Sequence, residues 1–217
     1  MLPFPILFQN NHFIIINKPA GMPVYNNKHS NQKSVEDFFP ILSKRQDGPW
    51  LVHRLDQDTA GCLVIALRKQ ALISAQHCFE TKQVTKIYWA IVQGKPRENN
   101  GQIDMPLLKI TKDKKWSMQA NPKGQAAVTK WKLLGSNGNI SCLELQLLTG
   151  RTHQARAHCA ILGHPIIGDS VYNPKSNKER YLHLFSREIS LPFSPHLSTI
   201  AEPPEHMITE LQQLHIV

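Results

Sequence analysis

Two runs constrain this chain more than any other feature: the β-branched run HFIIIN (12–17) and the continuous apolar run CLVIAL (62–67). Runs of β-branched and aliphatic residues with no polar alternation form strands buried in a sheet. The first run closes on Lys18-Pro19-Ala20-Gly21, a tight turn. VTKIYWAIV (84–92) predicts a further strand, with Val84, Lys86, Tyr88 and Ala90 on one face and Ile87, Trp89 and Ile91 on the other. Residues 126–134 and 140–148 predict a strand pair across Gly135-Ser136-Asn137-Gly138, and residues 181–191 a late strand.

Helices are fewer. Ala71, Leu72, Ala75, Cys78 and Phe79 recur at spacings of three and four, which predicts a helix over 69–81. Thr152 is expected to cap a helix running to about Leu162, stopped by Gly163 and Pro165. Ser34 is expected to cap a short helix that Pro40 limits or kinks, and the tail 203–217 ends in a weakly helical stretch. Residues 109–123, where Lys109, Lys112, Lys114 and Lys115 oppose only Asp113, are expected to form a surface loop. Strands outnumber helices and several connections are short. The expected fold class is therefore α+β, a mixed and mostly antiparallel sheet with flanking helices, in one domain over residues 1–217.

With 25 basic against 16 acidic residues the chain carries a net charge of +9, which favours a polyanionic partner, nucleic acid first. The 41% hydrophobic content excludes a disordered chain. No run reaches the ~18 apolar residues of a membrane span, and no Lys or Arg precedes Lys18 as a secretory signal would require. Cys62, Cys78, Cys142 and Cys159 have no CxxC spacing and read as small buried hydrophobes in a reducing, cytoplasmic protein.

Chemistry could reside in two places. The cluster His53-Arg54-Leu55-Asp56, continuing to Gly61, lies just before a buried strand, and loops held by a rigid sheet are where catalytic groups sit. It reads equally as a polar turn in which Asp58 or Thr59 bonds the backbone. The stretch Thr149 to His158 places Arg151 and Arg156 near a helix amino terminus, an anion site for a phosphate or a carboxylate; the alternative is outward salt bridging, which suits Arg151 better than Arg156. His153, His158 and His164 are spaced by five and six residues, not the three or four that place two ligands on one helical face, so no metal is expected. No glycine-rich phosphate loop, GxSxG elbow or dinucleotide fingerprint is present.

HRLDQDTAG (53–61) resembles the signature of the RluA-like family of RNA pseudouridine synthases. NKPAGMPV (17–24), TKIYWAIVQG (85–94) and LTGRTHQARAHCAILGHPIIGDSVY (148–172) resemble three further family motifs in the family's order, and YLHL (181–184) and EPPEH (202–206) fit its usual ending. The similarity runs from about residue 6 to 208. Gln57 and Ala60 stand where the family more often has Arg and Ser, and Ala155 and Ala157 where larger aliphatics are usual. Too few residues precede His12 for the small RNA-binding domain that some members carry, so the catalytic domain is expected to find its RNA alone.

The resemblance implies the pseudouridine synthase fold with a central RNA-binding cleft, and a reaction that needs no cofactor. It implies Asp56 as the essential carboxylate, Arg156 as the cation paired with it, and Tyr88 as the active-site tyrosine. Arg54 matches a residue that enters the space left by the flipped base, and His53 orders the loop or contacts RNA. Lys86, Lys112, Lys114, Lys115, Arg151 and Lys175 are candidate RNA contacts, or equally solvated cations. The expected substrate is structured RNA, ribosomal large-subunit RNA or transfer RNA, bound by a monomer. The rival readings are a catalytically silent RNA-binding module of the same fold and, more remotely, a histidine-dependent metal phosphoesterase.

Overall fold

The computed structural model describes residues 2–27, 30–45, 47–173, 181–194 and 196–217, so Lys175 lies outside the described residues. Along the chain come β1 (Ile6–Gln9), β2 (Phe13–Lys18), a 3-10 turn (Glu36–Phe38) leading into α1 (Phe39–Leu42), β3 (Trp50–Leu51), β4 (Ala60–Ala66) and α2 (Lys69–Glu80). Then follow β5 (Thr85–Gln93), β6 (Asn100–Asp104), β7 (Leu107–Lys112), β8 (Lys115–Ala120), β9 (Val128–Ser136), β10 (Ile140–Leu147) and α3 (Gln154–Ile161). The last elements are β11 (Leu184–Leu191), β12 (Leu197–Ile200) and α4 (Glu205–Gln213). None of the helices among the described residues is long and apolar enough to cross a membrane.

The contacts divide the chain into two compact units, Met1–Lys86 with Phe185–Pro204, and Ile87–Leu184 with Glu205–Val217. In the first unit the strand order is β1-β2-β4-β11, with β3 added to β4 and β12 to β11. The uninterrupted apolar run of β4 is explained by its place. β2 pairs along one edge from Ala66 to Gly61, while β11 takes Ala60 and Gly61 and β3 takes Ile65 and Ala66 on the other. With both edges and both faces covered, all seven residues of β4 are buried, as a strand without polar alternation requires. Cys62, Val64 and Ala66 pack with Phe13, Ile15, Ile189 and Leu191 and with Ala71, Ala75 and Cys78 of α2, so α2 buries the stripe that its spacing predicts.

In the second unit β5, β10, β9 and β6 follow one another antiparallel, and β7 pairs with β8 as a separate two-stranded sheet. In the first unit β4 and β11 run parallel, whereas β1, β2 and β4 alternate in direction. This is the mixed, mostly antiparallel α+β arrangement expected from the sequence. All four cysteines are buried and unpaired, and burial pushes the Cys62, Cys142 and Cys159 thiols up to about 12.

Three local expectations are corrected. Residues 109–123 do not form a loop: Lys112 and Lys115 face each other across a two-residue turn, Asp113 and Lys114, both at positive φ. That is the mirror-image turn whose twist suits a hairpin. Thr152 does not cap α3. His153 occupies the cap position at φ +53 without a side-chain cap bond, and the helix begins at Gln154. Ser34 does not cap a helix: Val35 precedes the 3-10 turn without a side-chain cap bond, and Ser34 Oγ instead donates to Asp37 Oδ2 at 2.8 Å. Pro40 sits in the first turn of α1, which ends two residues later at Leu42.

One close approach fixes β4 against β11. Gly61 has φ +104, and a Cβ there would overlap the backbone of Ser186. Gly61→Ala is expected to lose on the order of 3 kcal/mol of stability through strain and steric overlap together. Urea denaturation monitored by tryptophan fluorescence measures it.

Candidate active site

The His53–Gly61 segment crosses between β3 and β4 in the first unit. Val52 and Leu55 are buried and anchor it, leaving Arg54 exposed and Asp56 half-buried to either side of Leu55. The chain then turns, with Thr59 N–H donating to the Asp56 carbonyl at 3.1 Å, and Thr59 is itself buried. Beneath the turn lies Lys18, with no exposed surface. Its Nζ donates to the carbonyls of Pro19 at 2.9 Å, Met22 at 2.8 Å and Gln57 at 2.9 Å. Three donors meet three acceptors, so the ammonium is fully used. Burial lowers the Lys18 pKa to about 7, against the opposing pull of Asp58 and then Asp56.

His53 completes the sheet. Val64 N–H, on the edge of β4 between β11 and β3, donates to His53 Nε2 at 3.1 Å. The imidazole thus takes the place of a strand carbonyl and is neutral, with its proton on Nδ1. Its ring stacks on Phe79 of α2 at 5.0 Å, and Lys86 Nζ lies 5.9 Å from the same phenyl ring. Burial, and next the nearby charge of Lys86, drive the His53 pKa down to about 3.

In the second unit the loop before α3 is built on Gln154. Its Oε1 accepts from Thr149 Oγ1 at 2.6 Å and from Arg151 N–H at 3.0 Å, and its Nε2 donates to the Val128 carbonyl and to Thr129 Oγ1, both at 3.0 Å. Thr129 also bonds His158 Nδ1 at 2.8 Å, while His158 Nε2 donates to the Met105 carbonyl at 3.1 Å. Both ring nitrogens of that buried histidine are taken.

Arg156, 5% exposed, forms a two-pronged ion pair with Asp169: Nε donates to Oδ2 and Nη2 to Oδ1, each at 2.8 Å. Its third nitrogen, Nη1, lies 3.1 Å from His153 Nε2. The Asp169 carboxyl is held below its ordinary value: desolvation raises it, but Arg156 and the backbone N–H groups of Tyr172 and Val171 outweigh that. Tyr88 is buried on β5, opposite Leu145 of β10. Arg151 Nε donates to the Ala126 carbonyl at 3.0 Å, and Lys112, Lys114 and Lys115 are exposed around the β7–β8 turn.

Over residues 12–161 the sequence matches the family model described as RNA pseudouridylate synthase. The chain belongs to the RNA pseudouridylate synthase family.

An uncharacterized RNA pseudouridine synthase of Zymomonas mobilis subsp. mobilis is 41% identical over 193 residues, 85% of this chain and 87% of that protein. RNA pseudouridylate synthase domain-containing protein 1 of Danio rerio is 33% identical over 217 residues, 91% of this chain and 74% of its own length. Among solved structures, human RNA pseudouridylate synthase domain containing 4 superposes with a TM-score of 0.81 at 30% identity, covering 97% of this chain and 92% of that one. The synthase is therefore an isomerase that acts on RNA, with the pseudouridine synthase fold.

Of the residues singled out in the sequence, His53, Arg54, Asp56 and Lys86 fall in the first unit and Tyr88, Arg151, Arg156 and the hairpin lysines in the second. Two participants escaped the sequence reading. Lys18 reads in the sequence only as part of a turn, although a lysine that closes a strand of buried aliphatic residues is itself a signal of a buried cation. Asp169 stands in the sequence only within the motif 148–172, and nothing in the spacing ties it to Arg156.

The His53 shift has a definite sign. Its unfolded value is 6.5 and its folded value about 3, so below pH 6.5 the unfolded chain binds a proton that the folded synthase does not. Stability is lost as pH falls through that window. His53→Gln, which keeps an acceptor for Val64, is expected to flatten that fall, read as Tm against pH for the two proteins.

Proposed function

We propose that the chain isomerises specific uridines in structured RNA, ribosomal large-subunit RNA or transfer RNA, with Asp56 as its catalytic carboxylate. In this reaction the N1–C1′ glycosidic bond breaks, the uracil turns, and a C5–C1′ bond forms. C5 loses a proton and N1 gains one, so the nucleotide keeps its formula and no redox partner is required. Asp56 serves as the carboxylate acting on the ribose, Arg156 as an active-site cation, and Tyr88 as the ring that stacks on the base. Arg54 occupies the place the base leaves, which offsets part of the few kcal/mol of unstacking.

The observation that carries this reading is the family match over residues 12–161, which contains HRLDQDTAG with Asp56 at the motif's aspartate. The reading as a silent RNA-binding module requires loss of the motif's reactive groups, and Asp56, Tyr88 and Arg156 are all retained. Lys112, Lys114 and Lys115 contact phosphate, joined by Arg151 and Lys86, and His53 serves RNA binding by holding the Arg54 loop. The protein acts as a single monomeric domain in the cytoplasm, in keeping with its four free cysteines.

Pseudouridine mapping of total RNA from cells with and without this gene tests the activity. A site should vanish on deletion, return with the wild-type gene and stay absent with Asp56→Asn. Restoration by Asp56→Asn would refute the catalytic assignment, and an unchanged map would favour the silent module. Replacing Lys112, Lys114 and Lys115 together by Ala should weaken RNA binding and reduce the slope of log K against log[salt] by about 2, at ~0.7 for each phosphate no longer neutralised. Filter binding across a salt series reads it.

A further inference from the structure

Three fixed points hold the Arg156 guanidinium. Asp169 takes the Nε–Nη2 edge, Tyr172 presents its ring 5.4 Å from the guanidinium carbon, and His153 Nε2 lies against Nη1. An arginine only donates, so His153 Nε2 must accept, and its proton resides on Nδ1. That proton points to Tyr172 Oη, 3.2 Å away. The hydroxyl oxygen also accepts the backbone N–H of Met118 at 2.8 Å.

Met118 belongs to β8, and so does the second element that touches this group. The indole of Trp116 stacks on the His153 imidazole with ring centres 4.6 Å apart and planes 27° from parallel, and Lys109 Nζ of β7 lies 4.8 Å from the same indole. The hairpin is not part of the second unit's main sheet. It meets both His153 and Tyr172, the two residues beside the arginine that carry no formal charge opposite to it. The backbone supplies an independent sign: His153 sits at φ +53, a conformation that favours glycine. A bulky side chain there costs conformational energy, which the imidazole's contacts on three sides offset.

We propose that His153 is a positioning residue for Arg156, clamped by Trp116, so that the β7–β8 hairpin both docks RNA through its turn lysines and orients the catalytic arginine. The proposal rests on the catalytic role given to Arg156 above. Hairpin docking and the rate of isomerisation are then separable: the turn lysines govern binding, whereas Trp116 and His153 govern the rate once RNA is bound.

The test is single-turnover tritium release from bulk RNA carrying [5-3H]uridine, purified from cells that lack this gene. The maximal rate and the half-saturating enzyme concentration are read separately. Trp116→Ala and His153→Asn (an asparagine tolerates positive φ but is too short to reach Nη1) should each lower the maximal rate about tenfold, as expected for a misplaced catalytic group. Half-saturation should move less than about threefold. Trp116→Phe should recover most of the rate, and the double variant should be no slower than the slower single one, because both act through one contact. Thermal melts confirm that the variants fold.

A wild-type maximal rate in both single variants, or a change confined to half-saturation, would overturn the positioning role. Arg156→Ala is run in parallel. If it too keeps the wild-type rate, the catalytic reading of Arg156 has failed; if it is inactive while Trp116→Ala and His153→Asn are not, only the present inference has. Absence of tritium release by the wild type would overturn both.

Discussion

The buried ammonium of Lys18 is the interaction on which the candidate catalytic loop depends. A cation without exposed surface must have every donor bound, and here the three acceptors come from three places: the residue after it, the end of the following turn, and Gln57 in the middle of the HRLDQDTAG loop. Strand β2 is thereby joined to the loop that carries Asp56 by a group whose geometry cannot slacken without leaving charge unsolvated. The same burial that lowers the Lys18 pKa is opposed by Asp58 and Asp56. Lysine and aspartates therefore form one electrostatic unit. Structural support and charge near the candidate carboxylate come from a single side chain.

The legible part of the fold was the part where burial and periodicity agree. Phe13 to Ile16 and CLVIAL are apolar throughout because β2 and β4 are enclosed by neighbouring strands, and the α2 stripe is regular because only one face packs. The short strands β1, β3, β6 and β12, of two to five residues, were not legible. A strand that short has too few alternations to register as a period. The β7–β8 hairpin escaped for a different reason. Its turn is Asp113-Lys114, which lacks the glycine that advertises such turns, and its lysine-rich flanks resemble a solvated loop. The β7–β8 pairing instead rests on side chains at its base, Leu107 and Met118, packed with Ala127 and Ala157.

The helix start at Gln154 shows how a local rule yields to tertiary structure. Thr152 is a good cap by residue type, yet a buried glutamine two positions later satisfies the loop from inside, bonding Thr149, Arg151, Val128 and Thr129 at once. Sequence rules for caps count only near neighbours. They cannot see that residues 128 and 129, more than twenty positions earlier, supply the partners. The Arg156–Asp169 pair is of the same kind: thirteen residues apart, it depends on how the segment after α3 returns.

Charge, read from composition, points to RNA, and several cations of the candidate regions also have partners within the protein. Of the basic side chains in the candidate regions, Lys18 is enclosed by carbonyls, Lys86 lies over Phe79, Arg151 is tied to the Ala126 carbonyl, and Arg156 is bound to Asp169. Each is held by a short-range partner whose geometry matters more than its sign. Lys112, Lys114 and Lys115 are different, because they stand exposed in and beside the two-residue turn Asp113-Lys114. Phosphate contacts ask for exposed cations, whereas positioning a reacting group asks for cations held in one geometry. Exposed lysines thus stand at the tip of the hairpin, while Arg156 near its base and Lys18 under the loop are held by short-range partners.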